Sequence, residues 1–130
     1  MPKGKWRLTV RSDFAAAHSL RNYCGKCEAM HGHNFGVEAT IEGDTLTKDT
    51  ELLVDFKVLK TALKEVLSKL DHTMLNEVPP FDACNPSSEN LARFIYQNLS
   101  PLVQEYGVAV HSITVSEKAA QSATYMEIED

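Results

Sequence analysis

The sequence predicts a two-layer α+β domain. A four-stranded antiparallel sheet is expected to carry two helices on one face, in the order ββααββ. Three observations support this. Apolar and polar residues alternate in two separate runs at each end of the chain, the period of half-buried strands. Between them, apolar residues recur at helical spacing over two stretches. With 130 residues, 43% of them hydrophobic, the chain is expected to be one domain, residues 1–130, with its own core.

The first strand is read from Trp6, Leu8 and Val10 on one face and Arg7, Thr9 and Arg11 on the other, over residues 6–14. HNFGVEATIEGD gives the second, with Phe35, Val37, Ala39 and Ile41 on one side and Glu38, Thr40 and Glu42 on the other. Gly43-Asp44 marks its end. The first helix is expected after Asp55, a suitable N-cap, with Phe56, Leu59, Leu63, Val66, Leu67 and Leu70 as its stripe. VPPFDACNP interrupts the pattern. A second helix follows over SSENLARFIYQNLSPLVQEYG, with Asn85 or Ser87 as cap and Leu91, Ile95, Leu99 and Leu102 as stripe. Pro101 is a place where it can kink or split, and Gly107 stops it. VAVHSITVSEK and ATYMEIE read as the last two strands. Consecutive strands at each end suit hairpins, and helices on one face make two layers. Open sheet edges invite pairing between subunits, so self-association is expected.

The formal charge of −5 argues against nucleic acid as a partner, which needs a basic footprint. No apolar run is long enough to span a bilayer, and the basic N-terminus leads straight into a strand pattern. A cytoplasmic protein without a membrane partner is therefore expected. Three cysteines fit reduced thiols better than a disulfide framework.

CGKCEAMHGHN, residues 24–34, concentrates metal-ligand residue types on the connection between the first two strands. His31 and His33 stand at i and i+2 of an extended chain, so both rings can reach one ion. A third ligand must come from elsewhere. His18, at the end of the first strand, is favoured because antiparallel pairing brings that end close, and His111 is the alternative. Three histidines with an open position suit a catalytic zinc. Cys24 and Cys27 with His31 and His33 suit a closed structural zinc, although an i, i+2 histidine pair splays its rings. Spacing alone leaves both arrangements open.

Asp71 and His72 stand in SKLDHTMLNE, which ends the first helix. They can act as an oriented acid–base pair if the helix frays there. Otherwise Asp71 is a solvated carboxylate and His72 a helix-end cation. Glu117 ends an apolar stripe, where a carboxylate needs a partner. A planar ligand with two adjacent N–H donors would satisfy it; a surface glutamate at a strand end is the ordinary alternative. Lys118 reads as solvated and Cys84 as structural.

FAAAHSL, CEAMHGHNF, LLVDF, LDHTMLN, NPSSENLARFIY and VSEKAAQSATY, in this order, resemble the 6-pyruvoyl-tetrahydropterin synthase family over nearly the whole chain. The resemblance implies the family's tunnelling fold. Cys-x3-His-Gly-His looks like the branch that makes 6-carboxy-5,6,7,8-tetrahydropterin for queuosine and deazapurine synthesis. It implies that His18, His31 and His33 hold Zn2+, that Cys27 is the catalytic thiol, and that Cys24 is left over. It also implies that Asp71 and His72 form a catalytic pair and that Glu117 anchors the pterin. The implied reaction converts 7,8-dihydroneopterin triphosphate to the carboxy-tetrahydropterin, releasing acetaldehyde and triphosphate. The runner-up is the pyruvoyl-forming reaction, and the non-enzymatic alternative is a small structural zinc module. A homohexamer, a dimer of trimers with sites between subunits, is implied as well. Arg21, Lys26 and Lys118 are the basic residues considered for the triphosphate. Ala15 stands where the family often has serine.

Overall fold

The computed structural model describes residues 1–23, 25 and 29–129. Its strands are β1 (Trp6–His18), β2 (His31–Gly43), β3 (Thr73–Met74), β4 (Ala109–Lys118) and β5 (Gln121–Tyr125); its helices are α1 (Phe56–Leu67) and α2 (Ser88–Val103). The sheet order is β3-β1-β2-β4-β5.

The α+β class holds, but the sheet is five-stranded and mixed, not four-stranded and antiparallel. The added strand is β3, which pairs parallel to β1 through Ala16 and Ala17. Two residues show no alternation, so no local pattern announced it. The first strand continues past the alternating run of residues 6–14 to His18, and the last ends at Tyr125, leaving MEIE outside it.

β1 and β2 form the long central hairpin, in register from Trp6↔Gly43 to His18↔His31. Its inward face carries Val10, Phe14, Ala16, Phe35, Val37, Ala39 and Ile41, all buried. The outward face is polar, with Arg7–Glu42 and Arg11–Glu38 ion pairs and a Thr9–Thr40 hydrogen bond. Such exposed pairs add little stability and chiefly keep this face hydrated. On β4 one extra residue, His111, lies between Val110 (opposite Ile41) and Ser112 (opposite Thr40). This bulge switches the parity of the strand, so that Val110, Ile113 and Val115 are all buried.

The helices cover the apolar face. Asp55 caps α1 by accepting from the Lys57 amide, as expected, and Leu59, Ala62, Leu63, Val66 and Leu67 face the sheet. Phe56, expected in that stripe, is exposed instead. Ser87 caps α2 by accepting from the Asn90 amide, which resolves the choice between Asn85 and Ser87. Leu91, Ala92, Ile95, Leu99 and Val103 form its buried stripe, Val103 taking the place expected of Leu102. Pro101 is accommodated without splitting α2. Gly107, at φ 73, supplies the left-handed residue that ends the following 3-10 turn. Among the described residues, no helix is long and apolar enough to cross a membrane.

Candidate metal centre

The hairpin register decides which histidines meet. His18 lies directly opposite His31, and His33 opposite Ala16, with all three side chains on the helix-covered side. One ligand atom from each of His18, His31 and His33 lies within 4.8 Å of the others. The rings meet edge to face, with centroids 4.6 Å apart for His18–His31, 4.7 Å for His31–His33 and 5.4 Å for His18–His33. His111 sits in the bulge beside Thr40 and Ile41, at the other end of the sheet, and is not a third ligand.

Two main-chain carbonyls orient the cluster. His18 Nδ1 donates to the Pro86 carbonyl at 2.7 Å, and His31 Nδ1 donates to Ala29 at 2.7 Å. Each bond fixes the tautomer and turns Nε2 towards the cluster, the second-shell arrangement usual for metal-binding histidines. Burial holds His18 below its ordinary 6.5, outweighing the opposing pull of the Pro86 hydrogen bond and the Glu117 charge. The neutral form is the one that can offer a lone pair. Nε2 of His18 and Nε2 of His33 are buried without a hydrogen-bond partner. Buried, unpartnered Nε2 atoms on converging imidazoles fit a bound divalent cation, and the nitrogen donor set suits zinc.

Phe35 forms the floor of this cluster. It is fully buried, stacks on Phe14 at 4.9 Å, and meets His18 and His33 edge-on at 5.2 and 5.5 Å. Sequence reading placed Phe35 in the core without seeing this role; its position two residues beyond His33 on the same strand face was the available signal.

Glu117 comes from β4, on the other side of β2. Its Oε1 lies 3.5 Å from His18 Nε2 and its Oε2 3.6 Å from His33 Nε2, with the side chain only 18% exposed. A second register shift, between Val115 and Lys118 against β5, places an extra β4 residue here. Bulges of this kind re-aim side chains at functional sites. Glu117 also lines a cavity of about 270 Å3 with Leu20, Tyr23, Ser87, Glu89 and Gln121. Histidine cluster, carboxylate and cavity are thus contiguous.

Asp71 and His72 lie beyond the end of α1, in the turn before β3. Asp71 Oδ2 contacts His72 Nδ1 at 3.0 Å, and Asp71 Oδ1 accepts from the Ala15 amide at 2.9 Å. The Ala15 N–H, with a further contribution from His72, holds the Asp71 carboxyl below its ordinary 3.8. His72 adopts a left-handed backbone, φ 58, and its amide donates to the Ala15 carbonyl. A non-glycine residue in this region is strained and is kept there by its surroundings. The pair is held at the sheet edge, and the His72 side chain is 82% exposed.

A family model described as 6-pyruvoyl tetrahydropterin synthase matches residues 7–128. The chain belongs to this family. It is 34% identical to the 6-carboxy-5,6,7,8-tetrahydropterin synthase of Synechocystis sp. over 92% of each chain. It is also 34% identical to a 6-pyruvoyl tetrahydrobiopterin synthase of Dictyostelium discoideum, over 76% of this chain and 82% of that one. Its fold matches the 6-pyruvoyl tetrahydropterin synthase of Caenorhabditis elegans with a TM-score of 0.84, at 22% identity, covering 98% and 99% of the two chains.

Other members of the family-derived residue set fare differently. Cys24, Lys26 and Cys27 lie outside the described residues. Arg21, considered for the triphosphate, has its guanidinium committed to the main-chain carbonyls of Phe81 at 2.7 Å, Cys84 at 3.0 Å and Asn76 at 3.4 Å. Its role is to tie the chain after His18 to the segment before α2. Lys118 is exposed at the end of β4. Ala15 contributes main-chain atoms alone to the Asp71–His72 turn, so alanine in place of serine leaves that attachment intact.

Proposed function

We propose that this pterin synthase is a zinc-dependent 6-carboxy-5,6,7,8-tetrahydropterin synthase. It would convert 7,8-dihydroneopterin triphosphate to the carboxy-tetrahydropterin with release of acetaldehyde and triphosphate, for queuosine and deazapurine synthesis. The observation that carries the reading is the contact of Glu117 with both the histidine cluster and the cavity. One ligand can be gripped there by its heterocycle and presented to a cation by its side chain.

In this reading His18, His31 and His33 hold zinc. The cation supplies Lewis acidity towards the substrate's side-chain oxygens. Glu117 turns from the histidines to the pyrimidine edge and accepts two charge-assisted N–H bonds. Cys27, four residues before His31, is the proton-transfer base. His72, oriented by Asp71, moves protons in the complementary steps. The reduction is internal, ring at the expense of side chain, so no redox cofactor is required.

The site is proposed to be completed by self-association. Asp71 grips Ala15, three residues before His18, which is roughly 10 Å along a strand. With its exposed side chain, His72 is better placed to serve a neighbour's metal centre than its own. The cavity of about 270 Å3 is also below the roughly 300–1,000 Å3 usual for an enclosing ligand site. The homohexamer of the family, acting in the cytoplasm, would supply the missing walls.

The second reading is 6-pyruvoyl-tetrahydropterin formation, favoured by the similarity to the Dictyostelium protein. Trapped carbonyl product and released triphosphate separate the two. Acetaldehyde equimolar with triphosphate supports carbon–carbon cleavage; triphosphate without acetaldehyde supports the second reading. Release of neither contradicts both.

A further inference from the structure

We propose that Asn85 and Ser87 are positioning residues for the metal ligand His18, acting through the main-chain carbonyl of Pro86 that lies between them. The proposal rests on the reading of His18, His31 and His33 as a metal centre. The Pro86 carbonyl accepts from His18 Nδ1 at 2.7 Å and so decides which ring nitrogen faces the cluster. His18 is fully buried, and water cannot replace that acceptor.

Two features keep the carbonyl free and aimed. The first is the cap of α2. The Asn90 amide, whose i−4 acceptor in a longer helix would be Pro86, is taken by the Ser87 hydroxyl at 3.2 Å. The first main-chain bond of α2 runs from the Leu91 amide to Ser87, so the helix begins one residue too late to consume the Pro86 carbonyl. A cap serine here does more than stabilise a helix end: it reserves an acceptor for a histidine on β1.

The second is a bracket on the preceding residue. Asn85 Oδ1 accepts from the Arg21 amide at 2.9 Å, and Asn85 Nδ2 donates to the Arg21 carbonyl at 3.0 Å. Its own carbonyl, on the Asn85–Pro86 peptide, accepts from Asn90 Nδ2 at 2.8 Å. The Arg21 guanidinium then closes the loop onto Phe81 and Cys84. Asn85 thus ties the segment that presents Pro86 to the segment leaving His18. Ligand and second-shell acceptor move as one unit.

The test reads metal binding and needs no substrate. Affinity of the full chain for Zn2+ is measured by competition with a chromogenic chelator, and the visible spectrum is recorded with Co2+ in its place. Asn85→Ala is expected to weaken Zn2+ binding about 10- to 100-fold, the usual effect of losing a second-shell partner, and to shift the cobalt bands. Ser87→Ala is expected to do the same, with Ser87→Thr restoring both because it keeps the capping hydroxyl. Ile95→Val, in the core under α2, serves as a control destabilised without touching the relay. Unchanged zinc affinity and cobalt spectrum in Asn85→Ala and Ser87→Ala would overturn the proposal. An equal loss in Ile95→Val would overturn it as well. Failure of the parent chain to bind either metal would overturn the metal-centre reading itself.

Discussion

The Glu117 carboxylate lies 3.5 Å from Nε2 of His18, although their strands, β4 and β1, are separated by β2. His18 packs edge-on against Phe35, and Glu117 reaches both His18 and His33 from β4. In the proposed reading, a ligand held by Glu117 would lie against the histidine cluster. Glu117→Gln keeps the shape but offers one carbonyl oxygen and an N–H that opposes a donor. Loss of one charge-assisted bond costs roughly 1.5–3 kcal/mol, about 10- to 150-fold in affinity. Titration calorimetry with 7,8-dihydroneopterin is expected to show that loss, and parental affinity would remove Glu117 from the ligand site.

Removal of any one of the three histidines should abolish tight metal binding. His18→Ala, His31→Ala and His33→Ala are each expected to purify with less than a tenth of the parental zinc content, measured by plasma mass spectrometry. His111→Ala is expected to keep its zinc, because the bulge holds His111 at the far end of the sheet. Retention of zinc by His31→Ala and His33→Ala would contradict the assignment.

Phe35→Ala should injure fold and site together. Phe35 is fully buried under both the Phe14 stack and the histidine edges. The expected loss is about 3–5 kcal/mol of unfolding free energy, with weakened zinc binding. Urea unfolding and chelator competition check the two effects separately. A stability loss under about 1 kcal/mol would mean that the floor is not packed as described.

The Asp71 carboxylate should make part of the stability depend on acid. Its folded pKa lies below the ordinary 3.8, first because of the Ala15 N–H and then His72. A depressed carboxylate contributes stability that is complete above the unfolded value and lost as pH falls through the folded one. Urea midpoints of the parent and Asp71→Asn are therefore expected to differ above about pH 5 and to converge towards pH 2. A constant difference across that range would show that Asp71 acts without its charge.

Much of this architecture was legible locally. Period two placed His31 and His33 on one face, and the period of 3.6 found both helices with the Asp55 cap. What local pattern could not give was register. His18 and His111 were alternatives until pairing put His18 opposite His31 and a bulge carried His111 away. The same bulge is why VAVHSITVSEK cannot be read as a single unbroken alternation. β3 escaped notice because its two residues are placed by contacts of Ala16 and Ala17 on β1, far away in sequence. Arg21 read as a basic residue for a phosphate, yet its guanidinium is bound to three carbonyls from residues 76–84, a pairing visible only once the chain is folded.

Mass spectrometry of the pterin formed from 7,8-dihydroneopterin triphosphate, by zinc-loaded and by chelated protein, tests the central claim most directly. The account predicts 6-carboxy-5,6,7,8-tetrahydropterin from the zinc-loaded protein and unchanged substrate from the chelated one. Unchanged substrate in both, or equal turnover without zinc, would contradict it.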